Sequence, residues 1–169
     1  MDVVEFGRLS DEHRRALEGD EPDPFDAARI PLQFRAKERH VGLQEESGRL
    51  VASTGMVVVD VEVDGRRFPV VGLGGVIVSA PYRGRGLARR VLEAALDRAR
   101  RLGPRFAILF CHEDRAGLYR RLGFVELGGE VLVEQPSGHA AMTQRTMWIA
   151  LHDDAKWPPG RVIVQSLPF

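Results

Sequence analysis

Cysteine is nearly missing from this chain: Cys111 stands alone among 169 residues. No internal disulfide can form, so a small disulfide-stapled scaffold is excluded, and a reducing, cytoplasmic setting is expected. Long apolar runs are also missing. The longest stretch without charge, Phe68 to Tyr82, holds three glycines and two prolines and is too short and broken to span a bilayer. The first residues, Met1-Asp2-Val3-Val4-Glu5-Phe6, carry acids and no basic segment, unlike a secretory signal. Net charge is absent too, with 24 bases against 24 acids. What remains is ordinary globular composition, 44% hydrophobic and 28% charged. A chain of this length buries a sufficient core without metal or disulfide, so one domain over residues 1–169 is expected, with no metal.

The balanced charge is unevenly placed. Residues 1–30 hold nine acids and four bases, whereas residues 81–105 hold eight arginines against Glu93 and Asp97. A general nucleic-acid binder spreads its basic charge more widely. One short basic segment in a neutral chain suits a small polyanionic ligand.

Residues 2–8 read as a strand, and Ser10 opens a helix running to about Glu18, with Asp11 and Glu12 in its first turn. Asp23 or Asp26 is placed to cap a second short helix ending near Ile30-Pro31. His40 to Glu45 and Leu50 to Val63 read as strands. Asp64-Gly65 is a hairpin signal, and Phe68 to Val78 is its apolar return strand, with Gly72, Gly74 and Gly75 marking a bulge or close approach. Leu87 to Leu102 is the strongest helix, stopped by Gly103-Pro104. Phe106 to Cys111 is a buried strand, and Asp114 is expected to cap a short helix ending at Gly123. Phe124 to Leu127, Glu130 to Glu134 and Thr143 to Leu151 read as strands, the last two joined by Gln135-Pro136-Ser137-Gly138. Val162 to Gln165 is a terminal strand, with Phe169 anchored beyond it. The pattern is α+β, hairpins around one βαβ unit.

The chemically informative stretch is Val76-Ile77-Val78-Ser79-Ala80-Pro81-Tyr82-Arg83-Gly84-Arg85-Gly86-Leu87-Ala88, a strand, a glycine-rich loop and a helix start. A helix start offers unpaired N–H groups and partial positive charge, glycines allow close approach, and arginines add donors for phosphate oxygens. A pyrophosphate is the implied ligand. A P-loop is excluded because no Gly-Lys-Ser/Thr follows. A dinucleotide fingerprint fails because Arg89 occupies the third small position and the next strand has no acid for a ribose.

Arg83-Gly84-Arg85-Gly86-Leu87-Ala88 resembles the Gln/Arg-x-x-Gly-x-Gly/Ala motif of the GNAT superfamily of acyl-CoA-dependent N-acetyltransferases, and Leu118-Tyr119-Arg120-Arg121-Leu122-Gly123-Phe124 resembles the family's Leu-Tyr-x-x-x-Gly-Phe run. The resemblance covers residues 70–127. His112 departs from it, standing where many members carry an asparagine. The resemblance implies a mixed, mostly antiparallel, V-splayed central sheet flanked by helices. It implies acetyl-CoA as acetyl donor, with pantetheine along Val76, Ile77 and Val78 and pyrophosphate on Arg83, Gly84, Arg85, Gly86, Leu87 and Ala88.

Direct transfer to an amine needs a proton for the departing thiolate, and Tyr119 is the expected acid. An oxyanion donor is expected from a backbone N–H near Ile77. No acid lies on Phe68 to Val78; His112, Glu113, Glu130, Glu134 and a water relay stay open as the base. Cys111 reads as a buried strand residue. The acids of residues 11–26 either line a site for a cationic acceptor or form a solvated face. The C-terminal third loosely resembles aminoglycoside 2′-N-acetyltransferases and nodulation acyltransferases, which suggests an amino sugar or similar small polar amine. A protein N-terminal or lysine acetyltransferase and a non-catalytic CoA-binding module are the alternatives. The expected partner is a small-molecule amine acceptor, without nucleic acid or membrane; a homodimer is allowed for.

Overall fold

The computed structural model describes residues 1–169. The elements are β1 (Asp2–Phe6), α1 (Asp11–Glu18), β2 (Arg39–Gln44), β3 (Leu50–Val63), β4 (Arg66–Val78), α2 (Leu87–Ala99), β5 (Phe106–Cys111), α3 (Ala116–Arg121), β6 (Val125–Glu126), β7 (Val131–Gln135), β8 (Gly138–Ala141), β9 (Arg145–Ala150) and β10 (Val162–Val164). Single 3₁₀ turns lie at Ala27–Arg29, Ala80–Tyr82 and Glu113–Arg115.

All ten strands join one mixed sheet in the order β6-β9-β5-β4-β3-β10-β7-β8, with β2 also on β3 and β1 outside it. Only β4 with β5 and β10 with β7 run parallel. β3 is long enough to serve two neighbours on one edge: Leu50 to Met56 pairs with β2, and Val61 to Val63 pairs with β10. The β3–β4 hairpin closes at Asp64 and Gly65, both with positive φ (47° and 77°), as a type I′ turn demands.

α1 begins with a capping box in which Ser10 Oγ accepts from the His13 N–H at 3.1 Å and His13 Nδ1 accepts from the Ser10 N–H at 3.4 Å. α2 turns Leu87, Val91, Leu92, Ala95, Leu96 and Ala99 inward, a stripe repeating every three or four residues. Val91 and Leu92 are wholly buried, and such side chains contribute about 1.5–3 kcal/mol each. The α2 face of the sheet buries Val71, Leu73, Ala107 and Leu109, with Tyr119 and Phe124 from α3 and beyond. The opposite face buries Val57, Val59, Val70, Phe106, Ile108, Phe110 and Phe169.

Several expectations are corrected. α2 stops at Ala99 rather than Leu102, because Arg101 and Leu102 donate three residues back and tighten the last turn. Asp23, not Asp26, caps the segment before Ile30: its carboxylate accepts from Ala27 and Ala28 at 2.8 and 3.0 Å, over a single 3₁₀ turn. Asp114 caps nothing; a 3₁₀ turn leads directly into α3, whose start has no side-chain cap. The turn after β7 does not lead to Thr143–Leu151. It returns into β8, with Gln135 opposite Gly138, and the segment from Arg145 pairs instead between β5 and β6 as β9. β8 is short, with three of its four residues exposed, and lacks the apolar alternation that marks a strand in sequence.

Candidate active site

β4 and β5 pair only from Val71 with Ala107 to Leu73 with Leu109. β4 then runs on to Val78 and β5 to Cys111 without pairing, so a V opens between them. The divergence starts at a bulge: Gly55 pairs with Gly74 and Ser53 with Ile77, leaving Gly75 and Val76 opposite Thr54 alone. Gly75 takes φ +63°, which favours glycine, and Thr54 Oγ1 donates to the Gly74 carbonyl at 3.2 Å. The family of polar groups facing the V follows from strand alternation. The Ser79 N–H donates to Val51 on β3 at 2.9 Å, so Val78 turns its carbonyl outward, where Arg83 Nε donates to it at 3.0 Å. The Ile77 side chain is buried with Leu17 and Leu50, while Val76 and Val78 pack toward α2.

The loop after β4 delivers the start of α2. Gly84 and Gly86 hold φ +75° and +74°, and a Cβ at either would meet nothing within 4 Å. These glycines are therefore demanded by the backbone and face open space. The amides of Gly84, Arg85, Gly86, Leu87, Ala88 and Arg89 donate to no group of the protein; the first helical bond is from Arg90 to the Gly86 carbonyl. A run of free N–H groups at a helix start is an anion site in waiting. The Leu87 side chain is buried, so only its backbone faces the loop. Arg85 has no carboxylate partner and stands over the Tyr82 ring at 5.3 Å, with Arg49 on the same ring at 6.0 Å. Arg83 is committed: Glu21 accepts from both terminal nitrogens of its guanidinium. The Glu21 carboxyl sits below the ordinary range because Arg83 hydrogen-bonds it.

Tyr119 lies on the α2 side of the V, buried, edge-on to Phe124 with ring centres 5.9 Å apart. Burial, then the neighbouring Cys111, pushes its pKa well above the phenol range, so it carries a proton at neutral pH. Burial likewise pushes the Cys111 thiol up to about 11, leaving a poor nucleophile, 3.8 Å from the Met147 sulfur.

The residues left open as bases are scattered. His112 and Glu113 line a cleft of about 300 Å³ with Cys111, Thr143, Gln144 and Arg145 at the β9 side of the β5 end. Glu113 pairs with Arg145 at 2.7 Å, and Glu130 lies 3.8 Å from Arg161. The acids offered for a cationic acceptor are partly spent as well, Glu21 on Arg83 and Asp23 on its cap. The segment carrying them bridges the mouth of the V, since His112 Nε2 lies 3.3 Å from the Phe25 carbonyl.

Sequence reasoning missed Lys37. Its side chain crosses the face of the sheet opposite α2 and ends beside the bulge at Gly75. The available signal was scarcity: of 24 basic residues only Lys37 and Lys156 are lysines. Phe169 lies on the same face, its ring 5.0 Å from that of Phe110 and its main-chain carboxyl group beside Gly74.

A parallel pair forced apart by a bulge, followed by a glycine loop and a bare helix start, defines an acyl-CoA-dependent acetyltransferase fold. The chain matches the family model described as acetyltransferase (GNAT) domain over residues 13–126, more than half its length, and belongs to that family. It is 38% identical over 80 residues to glucosamine 6-phosphate N-acetyltransferase 1 of Oryza sativa subsp. japonica; the match covers 47% of this chain and 48% of the rice protein. The chain thus spans about half the length of this curated relative. Its fold is similar to that of the GNAT family N-acetyltransferase YhbS from Escherichia coli, solved in complex with CoA (TM-score 0.61, 21% identity, 96% of this chain and 89% of that one). It is also similar to N-acetylglutamate synthase from Neisseria gonorrhoeae, complexed with coenzyme A and N-acetyl-glutamate (TM-score 0.60, 16% identity, 90% and 36%). No helix is long and apolar enough to cross a membrane.

Proposed function

We propose that the chain is one acetyltransferase domain that moves an acetyl group directly from acetyl-CoA to a primary amine of a small polar molecule, an amino sugar being the first choice. The observation that carries this reading is the row of unpartnered amides from Gly84 to Arg89, next to a V whose β4 edge is unpaired. These amides, with Arg85, would hold the pyrophosphate. Arg83 would contribute only where an anion draws its side chain from Glu21, because its own N–H is held by the Ala80 carbonyl. Val76 and Val78 share one edge of β4, so Val76 would offer its N–H and carbonyl to the pantetheine arm, and its N–H is better turned toward an oxyanion than that of Ile77. Tyr119, protonated at neutral pH, would give its proton to the departing thiolate. The amino-sugar acceptor is supported by the partial likeness to the rice glucosamine 6-phosphate enzyme. A reducing, cytoplasmic setting suits the lone buried Cys111.

The test is calorimetric titration with CoA, followed by thiol-release assays against amino sugars, aminoglycosides and lysine-bearing peptides. Micromolar CoA binding with turnover confined to amino sugars is expected. Turnover of peptides alone would transfer the acceptor reading to protein substrates, and absence of CoA binding would end the proposal.

A further inference from the structure

Lys37 does not lie on the surface as most lysines do. Its Cβ and Cγ cross Gly55 on β3, where an added Cβ would stand 2.6 Å from each; its Cε passes Gly74 on β4 at 3.0 Å from such a Cβ, and its Nζ stops 3.4 Å from the corresponding point at Gly75. Gly55 and Gly74 are register partners, so two facing glycines form a slot across the sheet. The slot leads from β3 to the point where β4 leaves β5. No side-chain carboxylate pairs with Lys37: the ion pairs of the neighbouring segment are taken by Arg35 with Glu38. The groups around it are Arg14 of α1, His40 of β2 and the main-chain carboxyl group of Phe169. Burial, with Arg14 adding repulsion, holds its pKa below the ordinary lysine value.

We infer that Lys37 is a self-acetylation site, an amine built into the acceptor side of the V that takes the acetyl group of bound acetyl-CoA. The inference rests on the acetyl-CoA reading above. The Nζ lone pair attacks the thioester carbonyl carbon, forming the N–C bond. The tetrahedral adduct collapses with cleavage of the C–S bond, whose electron pair leaves on sulfur. The proton lost by nitrogen ends on the thiolate, so amine and acetyl-CoA become N-acetyl-lysine and free CoA. The amide is a stable end product, so it fills the acceptor side instead of relaying the acetyl group.

The experiment needs no acceptor. Full-length protein is incubated with acetyl-CoA alone and analysed by intact mass and peptide mapping, with urea-unfolded protein as the reference for unassisted chemistry. One acetyl group is expected, on Lys37, with exposed Lys156 at the level of the unfolded reference. Lys37→Arg is expected to take none while binding CoA within a few-fold of wild type by calorimetry. Wild type that binds CoA yet leaves Lys37 unmodified, or modifies Lys37 and Lys156 equally, overturns the inference and leaves the donor site intact. Wild type that does not bind CoA overturns both.

Discussion

Gly55 on β3 and Gly74 on β4 face each other in register at the point where the sheet begins to split. Their missing side chains leave room for three things at once: the stem of Lys37, the ring of His40 and the main-chain carboxyl group of Phe169.

The two positions differ in what they tolerate. At Gly74 a new Cβ would stand 2.7 Å from the Phe169 oxygen and 2.8 Å from its carbon, which are backbone atoms and cannot step aside. Gly74→Ala is expected to cost about 1–3 kcal/mol, lowering Tm by roughly 2–10 °C in thermal unfolding. An unchanged Tm would mean that the Phe169 backbone is not held there.

Gly86 combines a left-handed backbone with empty space. A β-branched residue there strains the chain by roughly 1–3 kcal/mol and brings a side chain to the mouth of the amide row. Gly86→Val should lower CoA affinity at least about tenfold, equivalent to ~1.4 kcal/mol, in calorimetric titration. Equal affinity would place the pyrophosphate elsewhere.

Tyr119→Phe removes only a hydroxyl from a ring held edge-on to Phe124, so the packing is kept. Stability should therefore be nearly unchanged, and CoA affinity should hold within a small factor. If the hydroxyl is the acid, kcat with an accepted amine falls by roughly 10²-fold. Full turnover would make Tyr119 a packing residue.

Cys111 supplies a pH signature. Its folded pKa of about 11 lies above the ordinary 9.0. The folded state therefore keeps a proton that the unfolded state loses, and the thiol's contribution to stability, complete below pH 9, declines as pH rises toward 11. Denaturant melts at steps of pH should show a steeper loss in wild type than in Cys111→Ala. Parallel curves would contradict the buried thiol.

Glu21 competes with any anion for Arg83. Because Arg83 lowers its pKa, the pair persists as pH falls until that lowered value is crossed. Glu21→Gln should raise CoA affinity a few-fold at low salt, with the gain fading near ~0.5 M salt as screening grows. A variant with weaker CoA binding would show that the pair orders the loop instead.

What the sequence by itself determined was local. The Asp64-Gly65 turn, the Ser10 cap, the α2 stripe and the run from Val76 to Ala88 are each written in residues a few positions apart, so periodicity and turn chemistry reveal them. The tertiary structure decided everything that joins distant residues. Glu21 meets Arg83 across 62 positions, Lys37 finds its slot only when β3 and β4 align two glycines, and β8 exists because β7 offers it an edge. These depend on register and on packing between segments, and no local residue pattern encodes either. The glycine loop and the bare start of α2 are accordingly legible in the chain, because both are local objects. The face of β4 where Lys37 and Phe169 converge is created by the fold.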